Sequence, residues 1–319
     1  MVKILILGGF GFVGSSLCSA IDLNSSDDIT ITSSGLRDGN GSAVATPRYC
    51  QITWDIRQPT NITPNFDVII HAATPASAEM NTAHPEMMFS QNVSGMANVI
   101  EFASRHEKPP IVLFTSSGAV YGDMPSELER FPEVWSVAKG TQELSSAYAR
   151  GKIEAELMLQ DATQNGKCIG LIARMFAFSG IHLPIDRHFA IGNFVRDVVN
   201  SRAITIRSDG SSIRSYMDGK DMATWLLRII EAGSPGEIYH VGSERSVSIG
   251  DLASLVAERY QLLTDKEVSI ETLGKSSPLD GVSRYVPSTK WTREKLNLKE
   301  TVSLELSIDQ MIINALVAS

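Results

Sequence analysis

The sequence has 319 residues, a formal net charge of −8 and 43% hydrophobic residues, an ordinary composition for a globular protein with a substantial core. The negative charge and the absence of any Lys/Arg run longer than two residues argue against binding to nucleic acid or to an anionic membrane. Three widely separated cysteines predict reduced thiols rather than a disulfide framework or a metal site. No apolar run approaches the ~20 residues of a membrane span, and the apolar N-terminus predicts a strand rather than a signal peptide, so a cytoplasmic location is expected.

The first half of the chain alternates short apolar runs with helical patterns. The apolar runs predict strands covered on both faces, at residues 2–8, 28–33, 49–54, 67–73, 110–116 and 166–174. The segments between them predict helices over FVGSSLCSAIDL, HPEMMFSQNVSGMANVIEFASR and SSAYARGKIEAELMLQDATQN. Strand–helix alternation of this kind predicts an α/β fold with a doubly wound, Rossmann-like parallel sheet.

After about residue 175 the predicted elements become shorter. Residues 202–217 (RAITIRSDGSSIRSYM) predict a hairpin around an Asp-Gly turn, and a helix, a strand, a helix and an irregular tail follow. We therefore expect two domains, over residues 1–175 and 176–319, with part of about 203–243 returning to the sheet. A smaller α/β domain at the carboxyl edge of the sheet is expected to bind substrate, because ligands of such folds bind in the crevice there.

A glycine-rich loop, residues 8–14 (GGFGFVG), directly follows the first predicted strand and opens a helix. Glycines in this position let the backbone approach a pyrophosphate, and the helix N-terminus offers N–H groups to the anion. Two registers are open: Gly9, Gly11 and Gly14 fit G-x-G-x-x-G, and Gly8, Gly11 and Gly14 fit G-x-x-G-x-x-G. Both predict that residues 1–175 bind a dinucleotide, against the alternative of a plain strand–helix turn.

Tyr148 and Lys152 lie four residues apart in a predicted helix, so their side chains share one face. A lysine beside a tyrosine favours the phenolate, which is expected to lower the phenol pKa from about 10. Such a phenol exchanges a proton with a substrate hydroxyl or carbonyl. The spacing also arises by chance in helices, and its position after a dinucleotide loop is what favours a catalytic role.

Together these motifs resemble the extended branch of the short-chain dehydrogenase/reductase superfamily, whose members are nucleotide-sugar epimerases, dehydratases and ketoreductases. The resemblance covers nearly the whole chain. It extends to Asp55-Ile56, similar to the step that caps the adenine, to His71-Ala72-Ala73-Thr74, similar to the turn beside the nicotinamide, and to residues 115–122 (TSSGAVYG), similar to a strand end. The cofactor-binding residues that the resemblance implies here are Gly8, Gly11, Phe12, Val13, Gly14, Asp55, Ile56, Ala72, Ala73, Thr74, Tyr148 and Lys152.

The catalytic residues implied by the resemblance are Ser117, Tyr148 and Lys152. Ser117 stands three residues before Val120, where the family places its serine, and Ser116 is the competitor. Three reactions are open: reduction of a ketosugar, epimerisation through a transient ketone, and dehydration.

Dehydratases of the family follow the serine or threonine with an Asp-Glu pair. This chain has Gly118 and Ala119 there, and neither side chain can move a proton. The sequence therefore argues against dehydration, and equally against decarboxylation that needs the glutamate.

The choice between NAD and NADP depends on the end of the second strand. No carboxylate appears there before Asp38, whereas Ser33, Ser34 and Arg37 suit the phosphate of NADP, unless Arg37 is only a solvated loop residue. Family epimerases recycle NAD and net reductases draw on NADPH, so NADP(H) is favoured and NAD is the alternative. The predicted function is NADPH-dependent reduction of a nucleotide-linked 4-keto-6-deoxyhexose. The alternatives are an NAD-dependent 4-epimerase and, less favoured, a non-catalytic dinucleotide-binding protein.

Substrate-binding residues are expected in the second domain. Arg214 and Arg284 are candidate ligands of the diphosphate, because a planar guanidinium suits phosphate oxygens. Asn193 is a candidate for the sugar or the diphosphate, Ser117 is expected to touch substrate as well, and Asp221 completes a segment that resembles the family's diphosphate element. Arg174 also matches a family position, where a structural role competes, while Ala177 replaces the family's usual asparagine.

Three histidines, His84, His182 and His188, lie in predicted loops. A loop histidine is more often solvated than an acid or base. The resemblance also implies a homodimer formed by the helices around residues 92–106 and 142–165.

Overall fold

The structure is a computed structural model that describes residues 2–21, 28–33, 49–74, 78–133, 146–187, 189–274 and 282–318. Its first half alternates strands and helices, as the apolar runs predict. In chain order the elements are β1 (Lys3–Leu7), α1 (Phe12–Ala20), β2 (Asp28–Ser33), β3 (Tyr49–Thr53), β4 (Val68–His71), α2 (Ala78–Ala83), α3 (Pro85–Ser104), β5 (Ile111–Ser117), a 3-10 helix (Gly118–Tyr121), α4 (Ala147–Gln164) and β6 (Ile169–Met175).

The second half has shorter elements. In chain order they are β7 (Phe178–Ser179), α5 (Ala190–Val199), β8 (Ile204–Ile206), β9 (Ile213–Ser215), β10 (Met217–Asp218), α6 (Gly219–Ala232), β11 (Ile238–Val241), β12 (Ser246–Ser248), α7 (Ile249–Thr264), β13 (Ile270–Thr272), β14 (Arg284–Tyr285), α8 (Lys290–Leu296) and α9 (Leu304–Ala318).

Seven strands form one sheet in the order β3-β2-β1-β4-β5-β6-β11. The pairings from β3 through β6 are all parallel. The order reverses at β1, where chain connections run outward in both directions, as in a doubly wound sheet. The predicted α/β, Rossmann-like fold is confirmed.

The chain divides into two compact units. The first unit comprises Met1–Gly122, Ser136–Met175 and Ala223–His240, and the second comprises Asp123–Trp135, Phe176–Met222 and Val241–Ser319. The core of the first unit combines sheet residues with residues of α3 and α4. Phe102 of α3 is fully buried there and meets the Trp54 ring edge-on at 5.2 Å between centroids. Burying a side chain of this size stabilises the fold by roughly 1.5–3 kcal/mol. The Phe102 side chain therefore helps to fix the position of α3 on the sheet.

The predicted hairpin over residues 202–217 is wrong. Gly210 does adopt a left-handed conformation with φ 82°. However, β8 pairs in parallel with β13, and β9 pairs with β12 and β14. A turn signal acts over four residues and cannot specify partners that arrive from farther along the chain.

The tail predicted as irregular contains two helices, α8 and α9. Leu304, Ile308, Met311 and Ile312 are buried, at the spacing of one helix face. The sequence contains this helical periodicity, so the prediction of an irregular tail is wrong. No helix in the described part of the chain is long and apolar enough to cross a membrane. The cytoplasmic location stays a prediction.

Candidate active site

The glycine loop has the shape that a phosphate cradle requires. Gly8 has φ 84°, a conformation that side chains other than glycine rarely adopt. A Cβ built on Gly14 would lie 2.5 Å from the carbonyl oxygen of Gly8 and from the Cα of Gly9. Gly11 caps the N-terminus of α1 without a side chain, which leaves the anion-binding end of the helix open. The loop therefore fits the pyrophosphate of a dinucleotide.

The other predicted cofactor residues gather at the carboxyl ends of neighbouring parallel strands. Ser33 ends β2, the pair Asp55-Ile56 follows β3, and residues 72–74 follow β4. The backbone N–H of Ala72 donates to the carbonyl oxygen of Leu7 at 3.0 Å, which ties this turn to β1. Arg37, together with Ser34 and Asp38, lies outside the described residues.

Asp55 has a partner within the described chain. The Arg57 guanidinium donates from Nε to Asp55 Oδ1 at 2.8 Å, and this hydrogen bond lowers the pKa of the carboxyl. The next residue, Ile56, is fixed through its carbonyl oxygen, which accepts from Asn98 Nδ2 at 2.8 Å. The strand end predicted to face the adenine is thus held by a local contact from Arg57 and by a distant contact from Asn98 of α3.

Ser117, Tyr148 and Lys152 come together in the first unit. Ser117 is the last residue of β5, and Tyr148 and Lys152 occupy the first two turns of α4. Hydrogen bonding by the Ser117 hydroxyl lowers the pKa of Tyr148, and the Ser117 Oγ accepts the N–H of Ala119 at 3.1 Å. Ser116 donates instead to Glu156, away from Tyr148. The geometry therefore selects Ser117 over Ser116.

Lys152 is almost fully buried and is held in place on two sides. Its Nζ donates to Thr74 Oγ1 at 2.6 Å and to the carbonyl oxygen of Thr115 at 2.8 Å. The ammonium lies 5.6 Å from the centroid of the Tyr148 ring. Thr74, predicted as a cofactor residue, is therefore in direct contact with a predicted catalytic residue.

Burial dominates the protonation of this site. It raises the pKa of Tyr148, and the hydrogen bond from Ser117 only partly offsets the rise. It also lowers the pKa of Lys152 to about 7, against the opposing charge of Glu156. The expectation of a lowered phenol pKa is therefore wrong for this structure, because desolvation of the buried phenol raises its pKa. Tyr148 is protonated at neutral pH and is suited to donate a proton.

His71 lies at the end of β4, beside Lys152. Its side chain is fully buried, and neither ring nitrogen has a hydrogen-bond partner within the described chain. Burial and then the Lys152 charge lower its pKa to about 3. Its ring packs against Phe114 at 5.3 Å between centroids. His71 is therefore a neutral core residue at neutral pH.

Two residues that the sequence did not single out support α4, the helix that carries Tyr148 and Lys152. Asn81 of α2 accepts the backbone N–H of Tyr148 at 2.9 Å through its side-chain oxygen. Glu156 of α4 binds both Ser116 and Arg174. Glu156 repeats the four-residue spacing of Tyr148 and Lys152 and could have been found from that repeat. Nothing local distinguishes Asn81.

The predicted substrate residues lie in the second unit. Arg214 of β9 and Arg284 of β14 are on paired strands, and Arg214 donates to the carbonyl oxygen of Ser283 at 3.1 Å. Asn193 occupies the first turn of α5. Asp221 is buried and accepts the N–H of Thr301 at 2.7 Å. This contact gives Asp221 a structural role that requires no bound substrate.

The remaining candidates have less defined settings. His84 is exposed at the N-terminus of α3 and makes no capping bond. His182 is half-buried, which lowers its pKa. His188 lies outside the described residues. Within the described ranges, no group of three His, Cys, Asp or Glu side chains could hold a metal ion.

Comparison with known proteins identifies the family. Residues 4–242 match the NAD dependent epimerase/dehydratase family. UDP-glucuronic acid decarboxylase 5 of Arabidopsis thaliana is 28% identical over 313 residues, which cover 97% of this chain and 88% of that protein.

Two solved structures share the fold. An epimerase from Methanothermobacter thermautotrophicus has a TM-score of 0.83 at 19% identity, covering 98% of this chain and 91% of that one. RMD from Pseudomonas aeruginosa, solved with NADPH, has a TM-score of 0.79 at 20% identity and covers both chains fully, at 100% each. The family match over residues 4–242 shows that the chain belongs to the NAD dependent epimerase/dehydratase family, within the extended short-chain dehydrogenases/reductases.

Proposed function

We propose that this family member is an NADPH-dependent reductase of a 4-keto-6-deoxyhexose carried on a nucleoside diphosphate. The composition of the site supports this assignment. Ser117, Tyr148 and Lys152 form a proton-transfer site, and the two residues after Ser117 are Gly118 and Ala119. Their side chains cannot supply the acid and base that elimination needs. The reaction that this set of side chains can support is therefore the transfer of one hydride and one proton, without elimination.

Each catalytic side chain has a separate task. Ser117 donates its hydroxyl to the ketone oxygen, and Tyr148 gives that oxygen its phenolic proton. The Lys152 ammonium stabilises the phenolate that remains, until solvent returns a proton to Tyr148. A bound nicotinamide supplies the hydride that reduces the carbonyl carbon. Because burial keeps Tyr148 protonated at neutral pH, the phenol suits this reductive direction.

The substrate class has two supports. One relative, which aligns with 97% of this chain, is named as a decarboxylase that acts on UDP-glucuronic acid. Arg214 and Arg284 then serve as diphosphate ligands on paired strands, with Asn193 as a further polar contact. Ala119 stands where the family resemblance requires a glutamate for decarboxylation, so the reaction of that relative is not the one proposed here.

An NAD-dependent nucleotide-sugar 4-epimerase is the competing function. The matched family is named for NAD and for epimerases. An epimerase would use Ser117, Tyr148 and Lys152 in both directions and would keep its cofactor bound through the cycle. A reductase consumes its cofactor, so cofactor turnover separates the two functions.

The deciding experiment is to purify the protein, release any bound nucleotide and identify it by mass spectrometry. NADPH absorbance is then followed after addition of dTDP-, GDP-, CDP- or UDP-linked 4-keto-6-deoxyhexoses. The reductase is expected to copurify with little NAD and to consume NADPH with one of these sugars. Tightly bound NAD, with no consumption of added NADPH, would reject the reductase proposal in favour of the epimerase.

The preference for NADP(H) is proposed to depend on Ser33, Ser34 and Arg37, since guanidinium and hydroxyl groups suit a ribose phosphate. Arg37→Ala is expected to raise KM for NADPH about tenfold or more and to leave KM for NADH unchanged. Arg105→Ala removes a surface arginine that pairs with Glu101 and serves as the matched control. Equal effects on both cofactors would show that Arg37 does not read the phosphate.

A homodimer through α3 and α4 is proposed as the assembly. The two helices pack on each other and present exposed apolar side chains, with Met87 49%, Phe89 37% and Leu157 54% exposed. Exposed apolar surface of this kind favours burial against a second copy. The exposed apolar side chains thus lie on the same two helices that the family resemblance implies for the dimer interface.

A further inference from the structure

The face of α4 that carries Tyr148 and Lys152 continues one turn farther to Glu156. The three residues are spaced by four, which places them on one side of the helix. Glu156 is only 4% exposed, an unusual burial for a carboxylate. Such a group needs partners, and its partners connect it to the catalytic strand.

Glu156 is held by a bidentate arginine. Arg174 of β6 donates from Nε to Oε1 at 3.0 Å and from Nη2 to Oε2 at 2.6 Å, with both side chains 5% exposed. Arg174 also donates to the Tyr121 hydroxyl at 2.7 Å, and that hydroxyl is 2.5 Å from His240 Nε2. The carboxylate is therefore fixed by a buried network that spans four elements of the first unit.

We propose that Glu156, held by Arg174, is a positioning residue that keeps the Lys152 ammonium charged and fixes the end of β5 that presents Ser117 to Tyr148. The inference rests on the proposed roles of Tyr148 and Lys152, whichever of the two candidate reactions the site performs. Glu156 itself touches no reacting atom and acts through its neighbours.

The electrostatic part follows from the charges that surround Lys152. His71 from β4 is neutral, and Tyr148 from its own helix is protonated at neutral pH. Burial favours the uncharged amine, and the carboxylate of Glu156 is the group that opposes this loss. Arg174 on β6 is cationic and is neutralised by Glu156. Without the carboxylate, Lys152 would share the interior with an unpaired cation.

The geometric part follows from the alternation of a strand. Ser116 donates its hydroxyl to Glu156 Oε1 at 2.5 Å. Successive side chains of a strand point to opposite faces of the sheet. Anchoring the Ser116 side chain on one face therefore fixes the orientation of the Ser117 side chain on the other face. Ser117 is the serine whose hydroxyl lowers the pKa of the Tyr148 phenol. One carboxylate thus sets the position of the serine and the charge of the lysine.

Glu156→Gln tests the proposal, because it keeps the shape and removes the charge. We expect kcat at neutral pH to fall by about tenfold or more while KM for the sugar changes by less than about threefold. The alkaline limb of the kcat profile is expected to move to lower pH by about one unit or more. Glu156→Asp, which restores the carboxylate, is expected to recover part of both losses.

Glu305→Gln is the matched control, since Glu305 forms a bidentate pair with Arg245 at the surface. It is expected to leave kcat and its pH profile unchanged. Glu156→Gln strands a buried arginine and can unfold the protein, so the double variant Glu156→Gln/Arg174→Met removes both charges. We expect the double variant to fold, as judged by circular dichroism, and to retain part of the shift of the alkaline limb, because Lys152 has lost the carboxylate but faces no unpaired cation. A folded double variant with the wild-type profile would overturn the proposal.

A titration of Lys152 separates this inference from the function itself. The ¹³Cε resonance of Lys152, assigned by its loss in Lys152→Met, reports the ammonium pKa without turnover. The Lys152 pKa is expected to fall by about one unit or more in Glu156→Gln, even if the enzyme proves to be an epimerase. An unchanged Lys152 pKa, with kcat also unchanged, would show that Glu156 serves the fold alone.

Discussion

The side-chain oxygen of Asn81 accepts the backbone N–H of Tyr148 at 2.9 Å, so α2 holds the first turn of α4. The same oxygen lies 3.3 Å from the Ser146 hydroxyl, which donates to it. Ser146 in turn caps α4 by accepting the N–H of Ala149 at 3.3 Å. The direction of the Tyr148 phenol therefore depends on a residue 67 positions earlier in the chain.

Removing this acceptor is expected to disturb the site more than the fold. In Asn81→Ala we expect kcat to fall about tenfold, because a misplaced phenol transfers its proton less efficiently. The free energy of unfolding is expected to fall by about 1 kcal/mol. Asn81→Asp keeps an acceptor oxygen and is expected to stay near wild type. Asn165→Ala, at the other end of α4, is the control, and equal kcat in both alanine variants would contradict the role of Asn81.

Tyr148→Phe removes the proposed proton donor and leaves the ring. We expect turnover to fall by about a thousandfold or more, within the range of general acid catalysis. Cofactor affinity, measured by nicotinamide fluorescence, is expected to change little. Tyr49→Phe deletes a hydroxyl that donates to the carbonyl oxygen of Cys18, away from the site, and should keep full activity. Near-normal turnover in Tyr148→Phe would remove the basis of the proposed reaction.

Gly14→Ala tests the phosphate cradle. The new Cβ would lie 2.5 Å from the carbonyl oxygen of Gly8, so the loop must shift. We expect the dinucleotide Kd to rise about a hundredfold, since backbone contacts with the phosphates depend on that loop. Gly250→Ala is the control, because the nearest atoms to a Cβ there, among the described residues, are the carbonyl oxygen of Gly210 at 3.6 Å and Ser248 Oγ at 3.8 Å. Calorimetry that gave the same Kd for Gly14→Ala and the wild type would disprove the cradle.

His71 predicts a pH dependence of stability. Its pKa falls from 6.5 in the unfolded chain to about 3 in the fold, so below pH 6.5 the unfolded state binds the proton first. The free energy of unfolding should therefore fall as pH drops from 6.5 toward 3, by up to about 1.4 kcal/mol per pH unit from this group. His71→Phe removes the dependence, so urea unfolding should show the variant gaining on the wild type between pH 6.5 and 4.5. A constant difference between the two proteins over that range would contradict this.

The proposed dimer predicts a response to charge on α4. Leu157 is 54% exposed on that helix. A glutamate in its place would have to be desolvated in the interface, so Leu157→Glu should dissociate the dimer to monomers at micromolar concentration. Leu262→Glu, at a leucine of α7 that is 63% exposed, should leave the dimer intact. Sedimentation of the wild-type protein as a monomer would end this proposal.

The element boundaries show how far sequence reasoning reaches. β2 was predicted with its observed bounds. The strand predicted over residues 67–73 is observed as β4, which ends at His71, two residues before the predicted end. The sheet strands were predictable because each is a continuous apolar run covered on both faces. The hairpin at Gly210 failed because β13 and β14 come from beyond residue 265, and no local pattern encodes such partners.

The sequence by itself determined the sheet class, the glycine loop and the Tyr148–Lys152 face, because glycine conformations and the helix period act over a few neighbouring residues. The family resemblance already favoured Ser117 over Ser116, but only the tertiary structure revealed that Ser116 binds Glu156 and that Asn81 and Arg174 support the helix that carries Tyr148. It also reversed the expected pKa shift of Tyr148. Hydrogen bonds between distant segments and the loss of water around a buried group exist only once the chain has folded, so sequence spacing cannot report them.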